Sequence, residues 1–107
     1  MMANPWAGEV TLQVNGVPVV LKLTLGALAG LEARLGADSL VGLIERFEGG
    51  AYRTADLLAL IHAGLQGGGW HGTEAELAQA EIAGGFAYAA AVAARALALA
   101  FAPPEGA

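Results

Sequence analysis

Residues 19–36, VVLKLTLGALAGLEARLG, decide the fold. In Val19, Leu21 and Leu23 the apolar positions recur every second residue, the period of a half-buried strand. From Leu25 the period changes: Leu25, Leu28, Leu31 and Leu35 are spaced three, three and four apart, which puts them on one face of a helix. The change falls at Thr24, whose hydroxyl can accept a free N–H of a first helical turn. Gly36 can adopt the left-handed conformation that ends a helix. The stretch therefore predicts a strand that becomes a helix within one residue.

Upstream, Val10, Leu12 and Val14 alternate with Thr11 and Gln13 and run into Asn15-Gly16. Asn-Gly between two alternating runs is a strong hairpin signal, because a type I′ turn needs positive φ at both central residues. With that turn, paired numbers sum to 31, setting Val14 against Val17, Leu12 against Val19, Val10 against Leu21 and Glu9 against Lys22. Pro18 then has its nitrogen on the side away from the first strand. It is tolerated only if no further strand docks beside that end. A lone hairpin is marginal in water, so its Val/Leu face is expected to pack on helices.

Downstream the pattern is helical with glycine breaks. A second helix is expected from Asp38 or Ser39, with Leu40, Leu43, Ile44 and Phe47 on one face, ending at Gly49-Gly50. A third is expected from Thr54, with Leu57, Leu58, Ile61 and Leu65 inward, ending at Gly67-Gly68-Gly69. Thr73-Glu74-Ala75-Glu76 reads as a capping box opening a short helix to about Ile82. Gly84-Gly85 separates it from a last helix over 86–101, apolar on nearly all sides. Phe86, Ala90, Ala93, Leu97 and Phe101 read as one face, and Tyr88, Val92, Arg95 and Leu99 as another. A helix with so little patterning is either central or presents a face to a partner. The residues expected at a partner surface are Tyr88, Val92, Leu97, Leu99 and Phe101. Gly26 and Gly30, four apart, are expected to let another backbone come close.

The 107 residues make one domain, with 1–8 as an arm, 9–24 as the hairpin, 24–102 as the helical part and 103–107 as a tail. The fold class is α+β: an N-terminal β-hairpin packed on four to five short α-helices.

The net charge is −5, without a basic run, so nucleic acid is excluded as a partner class. The chain lacks cysteine, which excludes disulfides and thiolate chemistry and suits a cytoplasmic location. No secretory leader is legible at the N-terminus. Residues 86–102 would reach about 26 Å as a helix, short of a hydrocarbon core of about 30 Å. Arg95 near their middle adds a cost of roughly 2.5–3.5 kcal/mol at a bilayer centre, so no membrane span is expected.

Chemistry is scarce. The glycines of Gly64-Leu65-Gln66-Gly67-Gly68-Gly69 follow a helix and lack the Gly-Lys-Ser/Thr ending of a phosphate loop, so they read as a flexible connection. His71 and Glu74 are three apart but lack further ligand candidates nearby. His71 is expected to serve the start of the next helix instead. Ser39 and Asp56 read as helix-start residues. Nothing pairs a nucleophile with a base and an orienting group. No catalytic residue, cofactor or metal site is expected, and the protein is read as a non-enzyme.

The segments Gly8-Glu9-Val10, Leu23-Thr24-Leu25-Gly26-Ala27-Leu28-Ala29 and Leu31-Glu32 resemble the small protein encoded among the tail genes of alphaproteobacterial gene transfer agents, phage-like particles that package host DNA. The resemblance continues through Leu43 to Phe47, Asp56-Leu57, Ile61 to Gly67 and the Ala-rich last helix. Gly30 departs from it, standing where a helix-favouring residue is expected. Such proteins carry two labels, tail tube protein and tail assembly chaperone. The resemblance implies the second more strongly: a chaperone binding the tape-measure protein, the tail-tube protein or both while particles assemble in the cytoplasm, with homo-oligomerisation a further option. A tube subunit would need strands for a sandwich or barrel, and one hairpin is legible. The alternatives are a structural component of the tail and a small-ligand or metal-binding module using Trp70, His71 and Glu74.

Overall fold

A computed structural model describes residues 9–36 and 39–101. It contains strands β1 (Glu9–Val14) and β2 (Val17–Lys22), followed by helices α1 (Leu25–Leu35), α2 (Leu40–Glu48), α3 (Thr54–Gly67), α4 (Glu74–Gln79) and α5 (Gly85–Phe101). This is the α+β arrangement read from the sequence, a hairpin followed by five helices.

The hairpin register is the expected one, from Val14 opposite Val17 to Glu9 opposite Lys22. Asn15 and Gly16 take φ of 53° and 80°, the left-handed pair that a type I′ turn requires. Thr24 caps α1 by accepting from the Ala27 N–H at 3.1 Å. Gly36, at φ 68°, ends the helix with its N–H on the Glu32 carbonyl. The end of α1 is held further by Arg46, which donates to the Leu35 carbonyl at 2.9 Å. Leu28 and Leu31 are buried and Leu35 is half-buried, but Leu25 is 82% exposed. At the first helical position Leu25 lies outside the stripe that meets the core. Ser39 caps α2, accepting from the Gly42 N–H at 3.1 Å. Asp38, the other start considered for α2, lies outside the described residues.

Helix α3 is the centre of the molecule. It packs on β2, α1, α4 and α5, and it buries Leu57, Leu60, Ile61 and Leu65 together with Asp56, Ala59 and Gly64. Leu12, Leu21 and Leu60 are fully buried; each contributes about 1.5–3 kcal/mol by leaving water. Asp56 is the one buried charge among the described residues. Its carboxylate accepts from the Arg53 N–H at 3.1 Å, a capping contact at the positive end of α3.

The joint between α3 and the hairpin depends on glycine. Val14 and Val17 flank the two-residue turn and exchange hydrogen bonds, so alternate positions of β2, including Val20 and Lys22, point their carbonyls away from β1. The end of α3 lies against these carbonyls. A Cβ at Gly67 would overlap the Lys22 oxygen, one at Gly68 the Val20 oxygen, and one at Gly64 the Leu21 side chain. The glycine run expected to be a flexible connection is thus a packed contact that covers the outer edge of β2. By contrast, among the described residues no atom outside the helix's own backbone lies within 4 Å of a Cβ built at Gly26 or Gly30, so the expected close approach of another backbone is not seen at these positions.

Two further expectations are corrected. Helix α4 ends at Gln79, not near Ile82, and residues 81–83 run beside β1. Asn15 N–H donates to the Glu81 carbonyl at 2.8 Å, Ala83 N–H to the Gln13 carbonyl at 3.2 Å, and Val14 bridges Ile82 in antiparallel sense. The Pro18 side of the ribbon receives no strand among the described residues, as the missing N–H demands. The inward stripe of α5 is Ala89, Val92, Ala93, Ala96 and Leu97, which cuts across the two faces read from its sequence. Alanines 89, 93 and 96 let the helix sit close to its neighbours, a role that side-chain size in the sequence does not advertise.

Ala at Gly26 or Gly30 is expected to stabilise the fold by about 0.5–1 kcal/mol per site, because open space and an ordinary helical backbone leave only the propensity gain. Ala at Gly67 or Gly68 is expected to destabilise it by about 1–3 kcal/mol through overpacking against β2. Urea denaturation of the four single variants measures both.

Candidate functional site

Two ordered polar contacts occupy the places where ligand chemistry was considered. Arg34 of α1 and Glu74 of α4 form a two-pronged ion pair at 2.7 and 2.8 Å, which ties the two helices together. The Arg34 hydrogen bond, aided by its charge, holds the Glu74 carboxyl below its ordinary value of 4.5. The Glu76 carboxyl is also lowered, by the Thr73 N–H it caps at 2.7 Å. Trp70 and His62 meet edge to face with centroids 6.1 Å apart, and the indole folds back over Gly72. His62 Nε2 lies 2.9 Å from the Gly72 carbonyl. His62, one α3 turn before Gln66, therefore holds the loop that leads into α4, the role expected of His71. His71 is exposed. No set of three or more His, Cys, Asp or Glu among the described residues could hold a metal ion.

Exposed apolar side chains occur on several elements, Val17 on β2, Leu25 on α1 and Val41 on α2 among them, and the two exposed aromatics stand together at the start of α5. Phe86 and Tyr88 are 54% and 50% exposed. Phe86 is the outer member of an aromatic series that runs out of the core. Buried Phe47 stacks on Tyr52 at 4.9 Å, and Tyr52 faces Phe86 at 6.5 Å, at the longer end of the range for ring pairs. Beside Phe86 lies a cleft of about 280 Å³ between α3, α4 and α5, walled by Leu58, Leu77, Ala80 and Ile82. A second cleft of about 280 Å³ borders β1 and is lined by Thr11, Gln13, Ala83, Gly84 and Tyr88. Gly84 and Gly85, at φ 86° and 76°, turn the chain away from β1 and start α5 there, which sets Tyr88 beside the strand.

Of the positions expected at a partner surface, Tyr88 is thus half exposed. Val92 and Leu97 are buried inside this chain, and Leu99 is partly buried against the core. The side chain of Phe101 lies outside the described residues. Phe86, placed by spacing on the face of Leu97 and Phe101 but left out of the expected partner surface, is the exposed aromatic that the sequence reading missed. Its position just after Gly84-Gly85, ahead of the buried stripe, was the available signal.

A family model described as "Phage tail tube protein, GTA-gp10" matches residues 7–103, nearly the whole chain. The chain belongs to this family. The tail tube family is one of structural tail proteins rather than enzymes, and its description names the tube, not a chaperone. No curated protein sequence and no solved structure matches the chain. No helix among the described residues is long and apolar enough to cross a membrane.

The Glu74 pair gives a pH prediction. Its folded pKa is lowered, so its stabilisation is present above the ordinary value of 4.5 and is lost as pH falls through the lowered value. Glu74→Gln is expected to cost up to about 1 kcal/mol at neutral pH, discounted for exposure and salt, and to cost nothing once acid has protonated the native carboxyl. Urea titrations of both proteins at neutral and acidic pH measure the difference.

Proposed function

We propose that the chain is a structural component of a phage-like tail that acts with the tail tube through protein contacts alone. Membership of the tail tube family over residues 7–103 carries this reading. Phe86, Tyr88 and the cleft beside Phe86 supply apolar surface of the kind that interfaces use, with aromatic side chains near well-packed neighbours.

A second reading, the tail assembly chaperone, is favoured by one specific observation. The described sheet has two strands and one isolated bridge, Val14 to Ile82, set among five helices. Stacking rings are more readily built from sandwiches or barrels that close or protect many strand edges. A mainly helical protein with exposed aromatics suits transient binding to a tape-measure protein, or to tube subunits before they polymerise.

Quantifying the chain in purified particles separates the two. A structural component is present in fixed proportion to the tube subunit, and Phe86→Ala with Tyr88→Ala lowers its incorporation. Absence from particles, together with a stable complex on co-expression with tape-measure or tube protein, replaces the first reading with the second. Absence from both contradicts both.

A further inference from the structure

We propose that the outer edge of β1 pairs with the same edge of a second copy of this chain, joining the two hairpins into one continuous sheet. The inference is independent of the tail reading, since it rests on backbone register. The N–H and C=O of Thr11 lie at a position that points away from β2, and among the described residues no hydrogen bond reaches either group. The same edge already accepts backbone nearer the turn, where Ala83 donates to Gln13 and Ile82 bridges Val14. That pairing ends abruptly because Gly84 and Gly85 turn the chain away. Beyond them, among the described residues, the cleft lined by Thr11, Gln13, Gly84 and Tyr88 leaves the edge open. Edge strands left in this state are templates for another strand.

The register selects a second copy. Antiparallel pairing of β1 with itself about Val10 sets Thr11 opposite Glu9 of the other chain and Glu9 opposite its Thr11. Residues 9 and 11 are both outward-pointing positions, so each pair can exchange two backbone hydrogen bonds, and Val10 meets Val10 at the axis. No two carboxylates stand opposite one another. The arrangement is isologous and therefore closes as a dimer without growing into a fibre. The other edge cannot do this: β2 is covered by Gly67 and Gly68, and Pro18 lacks the donor.

Sedimentation velocity over a range of protein concentrations tests the proposal. Wild type is expected to shift from monomer to dimer with concentration, more readily at higher salt because each copy carries −5 charge. Thr11→Pro removes the outward N–H without removing a β1–β2 hydrogen bond and is expected to lose the dimer. Thr11→Val keeps the N–H and is expected to retain it. Should Thr11→Pro fail to fold, hydrogen exchange of the wild-type Thr11 amide decides: protection that grows with dimer fraction supports the edge pairing. A monomer at all concentrations, a dimer that survives Thr11→Pro, or a Thr11 amide unprotected in the dimer overturns it.

Discussion

A two-stranded ribbon with one apolar face cannot stand in water, and covering that face is the constraint on which the rest of the molecule depends. Leu12, Leu21, Val14 and Val10 are buried because α3 and α5 lie against the hairpin. The approach of α3 requires glycine at 64, 67 and 68, where the helix end abuts the Leu21 side chain and the outward carbonyls of β2. With α3 set by this contact, α1, α4 and α5 pack around it. The segment between α4 and α5 is left running beside the opposite edge of β1. Among the described residues one edge of the ribbon is thereby covered by a helix end, and the other only in part.

This asymmetry links fold to function. A small protein in a tail assembly must offer surface to partners without collapsing on itself. Here two exposed aromatics, Phe86 and Tyr88, lie together with the apolar cleft and the described residues' open part of the β1 edge around the start of α5. The polar residues that invite a chemical reading are occupied with holding loops and helix ends, Glu74 by Arg34 and His62 at Gly72.

Local signals in the sequence carried far. The Asn15-Gly16 turn, the pairing register, the Thr24, Ser39 and Thr73 caps and the Gly36 stop depend on a residue and its near neighbours, and the structure has them as read. What could not be read were facts of tertiary contact. Glycine in the run 67–69 has the same local meaning whether it hinges a loop or admits a strand, and only the position of β2 distinguishes the two. Residues 80–83 continue a plausible helix until the free edge of β1 offers them hydrogen bonds. On α5 the buried stripe is marked by alanines, so a search for large side chains assigned Val92 and Leu97 to a partner surface when the core of this chain holds them. Tyr88 was legible as surface, while Phe86 was missed because spacing grouped it with Leu97, although its place just after Gly84-Gly85 and ahead of the buried stripe marked it.

The central claim is that hairpin and α3 form one cooperative unit through the glycine-mediated contact. Native-state hydrogen exchange along a denaturant series tests it most directly. The account predicts that the hydrogen-bonded amides of Val10, Leu12, Val19 and Leu21 exchange with the same free energy and denaturant dependence as those of Leu60 and Leu65, through global unfolding. Hairpin amides that open separately, at lower free energy and with little denaturant dependence while α3 stays protected, would contradict it.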